Sequence, residues 1–353
     1  TFFNNRLSLT IEYFNRKTTD MLIRVPTVSE AGLNSAPMTN AGAVKNYGWE
    51  YEAKWKDNIG ADWRYEIGFN LSWIKNKVTS LGTGNEPIYG SYLSEGSIVD
   101  YATKTAVGLP IGSFFGYVTD GIFNTYEEVA ASAQYDAGKN YWEQSALPGD
   151  FRFKDINNDG RITAEDRTYL GSPLPKFVFG VPMGVGYKNL DLSIFFQGQT
   201  GNKVFNVMDY YLYNAANGNV YADLREQHWS GQIASGREFF PLHTDATVPD
   251  LRSGDTNRNF RASDFFIHNG SYVRLKELRL TYNFPQRILT KLKISNLALS
   301  LTGYNLLTFT SYNGFDPEVG KVVGTEGNNL SMGVDQGNYP QARSFTFGVK
   351  LGL

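Results

Sequence analysis

The chain of 353 residues has no cysteine, little charge and no long apolar run. The missing cysteines exclude disulfide bridges and thiolate metal sites, and they give no information on the redox compartment. Charged residues form 19% of the chain, whereas ordinary soluble domains carry about 25%. With 33 Lys and Arg against 35 Asp and Glu, no basic excess is available to neutralise a phosphate backbone, so we expect no nucleic-acid partner.

Two further absences concern membrane helices and catalysis. A bilayer-spanning helix needs about 20 predominantly apolar residues, but the longest uncharged run, residues 294–315, has Ser, Thr, Asn or Gly at nearly every second position. No spanning helix is therefore expected. The three histidines, His228, His243 and His268, are scattered and have no nucleophile at a diagnostic spacing. We therefore do not expect an enzyme.

Alternation of large apolar residues with small or polar ones dominates the rest of the chain. In residues 63–73, WRYEIGFNLSW, one face carries rings and aliphatic side chains and the other carries Arg, Glu, Gly, Asn and Ser. This period of two predicts β-strands. The same pattern predicts strands at residues 7–13, 47–56, 177–187, 190–197, 278–284, 297–302 and 345–353, with a weaker candidate at 111–118, about nine in all. Two short helices are expected at residues 126–133 and 286–292.

The connections between these strands are either tight turns or long excursions. Residues 79–106, 124–174, 199–270 and 308–342 are rich in Gly, Asn, Asp and Ser and are predicted to be irregular. Outer-membrane barrels have short turns on one rim and long loops on the other, and strands of about 9–11 residues suit a tilted bilayer crossing. The pattern therefore favours a membrane barrel. A secreted β-sandwich or adhesin, which turns its apolar face inward, is the alternative.

One loop, residues 155–166, has the spacing of a calcium site, DINNDGRITAED. Asp155, Asn157 and Asp159 occupy ligand positions 1, 3 and 5. Arg161 supplies a backbone carbonyl at position 7, and Asp166 stands at position 12, where EF-hands carry a glutamate. The loop is therefore closer to dockerin-type modules. It predicts a structural Ca²⁺ or, alternatively, Mg²⁺ that stiffens the loop. The other interpretation is an Asx-rich turn whose carboxylates cap backbone amides without metal.

Aromatic residues also gather within the third irregular stretch. Tyr210, Tyr211 and Tyr213 are close neighbours, and Trp229 is followed by the pair at 239–240. Such rings either stack on sugars or pack a loop against itself. We expect loop packing.

Several ordered motifs resemble the SusC/RagA family of TonB-dependent outer-membrane transporters. The similarity begins with GLPIGSFFGY followed by DGIF, and it spans nearly the whole chain. The segments that carry it are residues 108–117, 120–123, 149–155, 166–168, 171–173, 175–177, 271–276 (SYVRLK), 304–310 (YNLLTFT) and 315–319 (FDPEV).

The resemblance implies an all-β fold, a transmembrane antiparallel β-barrel with long extracellular loops. The family barrel has about 22 strands, and residues 1–353 match only its C-terminal portion. The plug, the first barrel half and the TonB box are then expected elsewhere. The remaining strands come from another chain or from a missing part of the same protein. Within this barrel, the calcium-type segment at 155–166 is an insertion in an extracellular loop.

The same resemblance implies a function and partners. The expected function is TonB-dependent import of oligosaccharides or peptides across the outer membrane of a Gram-negative, Bacteroidota-like bacterium. The expected partners are a SusD-like surface lipoprotein that acts as a lid, TonB through the absent N-terminal region, the lipid bilayer, and a glycan or peptide ligand. A passive porin and a secreted, calcium-stabilised β-rich binding protein are the alternatives. The sequence does not identify the cargo.

Overall fold

The computed structural model describes eight stretches of the chain, residues 1–24, 38–95, 98–140, 143–214, 218–230, 243–251, 255–320 and 330–352. The aromatic pair at 239–240 and the last residue, 353, lie outside these ranges. None of the helices in the described ranges is long and apolar enough to cross a membrane.

The described residues form seventeen strands and four helices. The strands are β1 (Leu7–Arg24), β2 (Met38–Ile59), β3 (Trp63–Leu81), β4 (Ile88–Glu95), β5 (Ile98–Thr105), β6 (Ser113–Gly116), β7 (Thr119–Ile122), β8 (Phe151–Phe153), β9 (Thr168–Gly171), β10 (Phe177–Tyr187), β11 (Leu190–Thr200), β12 (Lys203–Asn206), β13 (Ile267–Asn269), β14 (Tyr272–Asn283), β15 (Asn296–Thr310), β16 (Val334–Asp335) and β17 (Ser344–Gly352). The helices are α1 (Tyr126–Ala130), α2 (Met208–Tyr213), α3 (Leu224–Gln227) and α4 (Gln286–Leu292).

Eight long strands form one antiparallel sheet, which we call the wall. Their order is β1-β2-β3-β10-β11-β14-β15-β17. Each wall strand alternates large apolar and small or polar residues, as a two-faced sheet requires. The wall connections at one rim, the turn rim, are short: residues 60–62, 188–189 and 284–295, the last of which includes α4. At the opposite rim, the loop rim, β3 connects to β10, β11 to β14, and β15 to β17 by long excursions.

The eight wall strands confirm the predicted strands, and the ninth prediction was wrong. Residues 111–118 contain only the four-residue β6, which pairs with β5 and β9 in a separate sheet. Phe114 of β6 is fully buried among residues of the long excursions. The alternation in residues 111–118 therefore reflects packing within the loops.

The described parts of the long excursions are folded, which corrects the prediction that they are irregular. Residues 82–176, 201–271 and 311–343, which we call the loop cap, contain the nine short strands and helices α1, α2 and α3. One buried core takes side chains from all three excursions, including Phe114, Phe205, Phe266 and Val334. β12 and β16 also pair in parallel across two excursions. Because three excursions share one core, the loop cap is a packed body on the loop rim.

Candidate functional site

The outer face of the wall is a continuous apolar surface. Strand register places large side chains opposite one another from β3 to β17, as in the row that begins with Trp63, Tyr187 and Leu190 and continues with Tyr282 and Leu299. The structure leaves this face open, with Trp63 47% exposed. A face of this size without a protein covering is typical of a surface that meets lipid.

Aromatic rings mark both margins of the apolar face. Near the turn rim, the rings of Trp63 and Tyr187 lie 4.5 Å apart, and toward the loop rim those of Tyr13 and Trp49 lie 5.1 Å apart. On β3 the apolar stripe runs from Trp63 to Trp73, which is roughly 33 Å along the strand at the usual rise. A tilt of about 40° reduces this to about 25 Å, the height of the lipid-facing band of outer-membrane barrels.

The opposite face of the wall, the inner face, is polar. Lys54 and Glu66 form an ion pair at 3.0 Å, and Arg64 pairs with Asp191 on the neighbouring part of the wall. Asn283 also donates to Asp191 at 2.7 Å. A cavity of about 910 Å³ opens on this face near the turn rim, lined by charged and small residues. This chemistry suits a water-filled lumen, as the alternation predicts.

A buried ion network fixes the third excursion of the loop cap to β14. The Arg274 side chain is 2% exposed; its Nη2 lies 2.6 Å from Asp316 Oδ1, and its Nη1 lies 2.9 Å from Glu318 Oε2. Its Nε donates to Thr308 Oγ1 at 2.9 Å. All three donor nitrogens of the guanidinium are therefore used, in the fork geometry that favours Arg over Lys.

The Asp316 carboxylate gives this network a pH dependence. Burial alone would raise the pKa of Asp316, but hydrogen bonds from the amides of Gln341 and Glu318 and from Arg274 outweigh it and lower the pKa below 3.8. A depressed carboxyl pKa stabilises the folded form above the unfolded pKa, and this contribution is lost as pH falls through the folded value. The protection factors for hydrogen exchange at the Glu318 and Gln341 amides should therefore stay constant down to about pH 4 and fall below it. If the protection factors of an Asp316→Asn variant fell over the same pH interval, this assignment would be contradicted.

A second buried cluster joins residues that the sequence analysis did not bring together. Asp209 is fully buried and accepts hydrogen bonds from Asn206 Nδ2 at 2.8 Å and Tyr221 Oη at 3.0 Å. His268 Nε2 lies 2.5 Å from the Asp209 carboxylate. Burial, with the charges of Asp209 and Asp223, raises the pKa of Tyr213 to about 12. The sequence does not link His268 to Asp209, because the two residues are 59 positions apart.

The loop aromatics pack within the loop cap, as expected. Tyr210 is 4% exposed and Trp229 is 2% exposed, each in a hydrophobic core of the cap. Tyr211 and Tyr213 pack against the same core as Tyr210.

The calcium-type loop folds as a tight turn stabilised by its own side chains. The Asp159 amide donates to Asp155 Oδ1 at 3.2 Å and to Asn157 Oδ1 at 3.0 Å, so these three residues surround the turn. The Arg161 amide donates to Asp159 Oδ1 at 2.8 Å. Asp166 is fully buried and binds the two ends of the loop, accepting from the amides of Ile156 and Thr163.

The donor set of this loop fits a hard cation, although its carboxylates are not gathered around one point. Asp155, Asp159 and Asp166 carry six carboxylate oxygens, the ligand type that Ca²⁺ and Mg²⁺ prefer. Each oxygen that accepts one amide proton keeps further lone-pair capacity. Within the described ranges, however, no three His, Cys, Asp or Glu side chains stand close enough to hold a metal together. The hydrogen bonds seen here are those of an Asx-rich turn.

Comparisons with known proteins find relatives that match nearly the whole chain. The chain is 32% identical over 355 residues to the TonB-dependent receptor P3 of Formosa agariphila, a match that covers 99% of this chain and 32% of that protein. It is 25% identical over 351 residues to the TonB-dependent receptor SusC of Bacteroides thetaiotaomicron, with 99% of this chain and 30% of that protein covered. The chain thus spans about a third of the length of these relatives. No family model matches it.

Comparison with solved structures also finds a similar fold over nearly the whole chain. The structure of the RagAB peptide transporter superposes with a TM-score of 0.71 at 24% identity, over 99% of this chain and 34% of that one. At this identity the match shows the fold alone, and the fold is the one that the motifs imply. With the two TonB-dependent receptors, it fits an all-β barrel fragment. The chain therefore belongs with the SusC/RagA-like TonB-dependent transporters and corresponds to the C-terminal part of their barrel.

Proposed function

We propose that this chain supplies wall and extracellular loops to an active importer in the outer membrane of a Gram-negative bacterium of the Bacteroidota type. The observation that carries the proposal is the two-faced wall, whose apolar face is open, whose other face is polar, and whose long connections between described strands all lie at one rim. A sheet with open edges leaves backbone groups unsatisfied in lipid. β1 and β17 therefore require further strands, from the same protein or from another chain.

The proposed partners follow from the relatives. RagAB is described as a peptide transporter, and SusC as a TonB-dependent receptor. For this chain we propose energy input through TonB, an oligosaccharide or peptide cargo, and a SusD-like lipoprotein that acts as a lid. The loop cap supports the lid proposal, because a body with its own core offers a rigid docking platform at the rim where cargo would enter.

The orientation of the wall can be tested with cysteine labelling, because the chain has no native cysteine. Ala137 lies in the loop cap and Ala61 in a turn at the turn rim, and both are exposed. In whole cells, a membrane-impermeant maleimide should label an Ala137→Cys variant of the intact protein and should leave Ala61→Cys unlabelled. Permeabilising the outer membrane should make both react. Labelling of Ala61→Cys in intact cells would reverse the proposed topology.

Active import is tested by removing TonB. In cells that carry the intact protein, uptake of a fluorescent oligosaccharide or peptide library should stop when TonB is depleted. Continued uptake would indicate a passive porin. If the intact protein purified as a soluble monomer without detergent, the wall would not be in a membrane and the secreted binding protein would be the better assignment.

We also propose that Asp155, Asn157, Asp159, Asp166 and the Arg161 carbonyl bind a structural Ca²⁺, or Mg²⁺ in its place. The spacing of these residues and their oxygen chemistry support the proposal. A bound metal ion would stiffen the loop, because the oxygens of these five residues would converge on its positive charge.

Calorimetric titration of the intact protein with Ca²⁺ should show one binding event that an Asp155→Ala, Asp159→Ala double variant lacks. The expected reason is the loss of two anionic ligands from a site whose affinity depends on ligand charge. Asp136→Ala, in another exposed turn of the loop cap, is the matched control and should leave the titration unchanged. Equal heats from the wild-type protein and the double variant would exclude the site.

A further inference from the structure

Four lysines form a group on the wall just beyond the aromatic margin at the loop rim. Lys17, Lys45 and Lys77 lie directly opposite one another across β1, β2 and β3. Lys75 stands two residues closer to the turn rim on β3, opposite Tyr47. We call these four residues the lysine row. Because like charges directly opposite on neighbouring strands destabilise a sheet, their arrangement favours an anion that offsets the repulsion.

The lysine row lies on the outer face of the wall, because the loop cap covers the inner face at the same level. Val44 and Val78 are 7% and 0% exposed and belong to one buried cluster. Asn76 accepts a hydrogen bond at 2.8 Å from a backbone amide of the loop cap. Since neighbours along a strand point to opposite faces, Lys45 and Lys77 point outward.

The ammonium groups stay close to the aromatic margin. Nζ of Lys45 lies 5.2 Å from the centre of the Tyr47 ring, and Nζ of Lys75 lies 5.2 Å from the Trp73 ring. Trp and Tyr side chains mark the headgroup level of a bilayer. The positive charges therefore lie at the depth of lipid headgroups, in the leaflet on the loop side.

The charges of the lysine row are not neutralised within the described part of the chain. The ion pairs formed there by wall lysines involve Lys54 and Lys276, and none includes a member of the row. Glu50, Glu52 and Glu66 belong to the alternate, inner positions of β2 and β3. Among the described residues none supplies this counter-charge, so we look to an external anion.

We propose that the lysine row binds the phosphate groups of a phosphorylated glycolipid in the outer leaflet. An ammonium group is a compact charge suited to phosphate, and clusters of Lys at a membrane surface attract anionic headgroups. The position of the row selects a lipid over free phosphate, because the acyl chains of a bound glycolipid lie against the adjoining apolar face. That face continues from Tyr13 and Trp49 toward the turn rim.

The test uses the intact outer-membrane protein that contains this chain, with Lys45→Gln and Lys77→Gln combined. The matched control is Lys54→Gln with Lys56→Gln, which removes two charges from the inner positions of β2. Each detergent-purified protein is incubated with lipid A, washed, and assayed by mass spectrometry for retained glycolipid. We expect the Lys45, Lys77 variant to bind lipid A about tenfold or more weakly than wild type. The control should bind as wild type does.

Two further measurements distinguish binding of a glycolipid phosphate from binding of free phosphate. Dephosphorylated lipid A should be retained about tenfold less than lipid A, and inorganic phosphate should not displace the bound glycolipid. Equal retention by the Lys45, Lys77 variant and wild type overturns the proposal, as does displacement by inorganic phosphate. The inference rests on the membrane orientation in the proposed function and not on the cargo. If glycolipid retention is unaffected while labelling still shows the loop cap outside, only the lysine row is refuted.

Discussion

Replacing Arg274 by methionine should lower the free energy of unfolding of the loop cap by about 3–5 kcal/mol, the usual cost of leaving a buried charge without its partner. Asp316 is only 8% exposed, so without Arg274 its carboxylate keeps its charge in a poorly solvated site or takes up a proton. The Thr308 hydroxyl loses its partner as well. The expected result is local release of the third excursion from β14 before the wall unfolds.

Hydrogen exchange and limited proteolysis of the intact protein in detergent measure this release. Exchange should increase at the Glu318 and Gln341 amides, which Asp316 binds. An Arg274→Met, Asp316→Asn double variant should lose less than the sum of the single losses, because it leaves no unpaired buried charge. Lys139→Met is the matched control. It breaks an exposed pair with Asp136 in the same loop cap and should cost less than about 1 kcal/mol. A similar loss for Arg274→Met and Lys139→Met would show that the buried network contributes little.

The wall could be predicted from the sequence because its determinants are local. Alternation with a period of two needs only neighbouring residues, and the bounds of β10 and α4 agree with the predicted 177–187 and 286–292. The other wall strands extend beyond their predicted ends, as β2 does to Met38. At these strand ends the residues of the outer face change from rings to Lys and Asn. Apolar alternation therefore no longer indicates a strand in the sequence.

The loop cap could not be predicted in the same way, because its contacts join residues that are far apart in the chain. Asp209 meets His268 across 59 positions, and Arg274 meets Asp316 across 42. Its strands are short, from two to eight residues, too short for a periodic signal. The candidate calcium residues were visible because all five fall within one twelve-residue loop, whereas the lysine row appears only when strand register brings three strands together.

Placing arginine at Ile194 should destabilise the membrane-inserted protein by about 2–4 kcal/mol, the cost of a cation on the lipid face near the bilayer midplane. Ile194 lies opposite Met183 on β10, and Met183 lies opposite Ile67 on β3, near the middle of the stripe that runs from Trp63 to Trp73. An arginine there has no water at its level. Its side chain must either distort the bilayer or leave the apolar face.

Ser193, the preceding residue on β11, supplies the control at the same depth. It is exposed, lies opposite Gly184 and points to the inner face, where a charged side chain meets water. Ser193→Arg should therefore change stability by less than about 1 kcal/mol when both variants of the intact protein are unfolded by denaturant in lipid vesicles. Because the two sites share a strand, a depth and the introduced side chain, the difference between them reports which face meets lipid, reduced by the repulsion of about 0.2–1 kcal/mol that an arginine at position 193 meets from Arg279 directly opposite on β14. A larger loss for Ser193→Arg would mean that the wall turns its apolar face toward protein, and the importer assignment would then give way to a secreted β-rich protein.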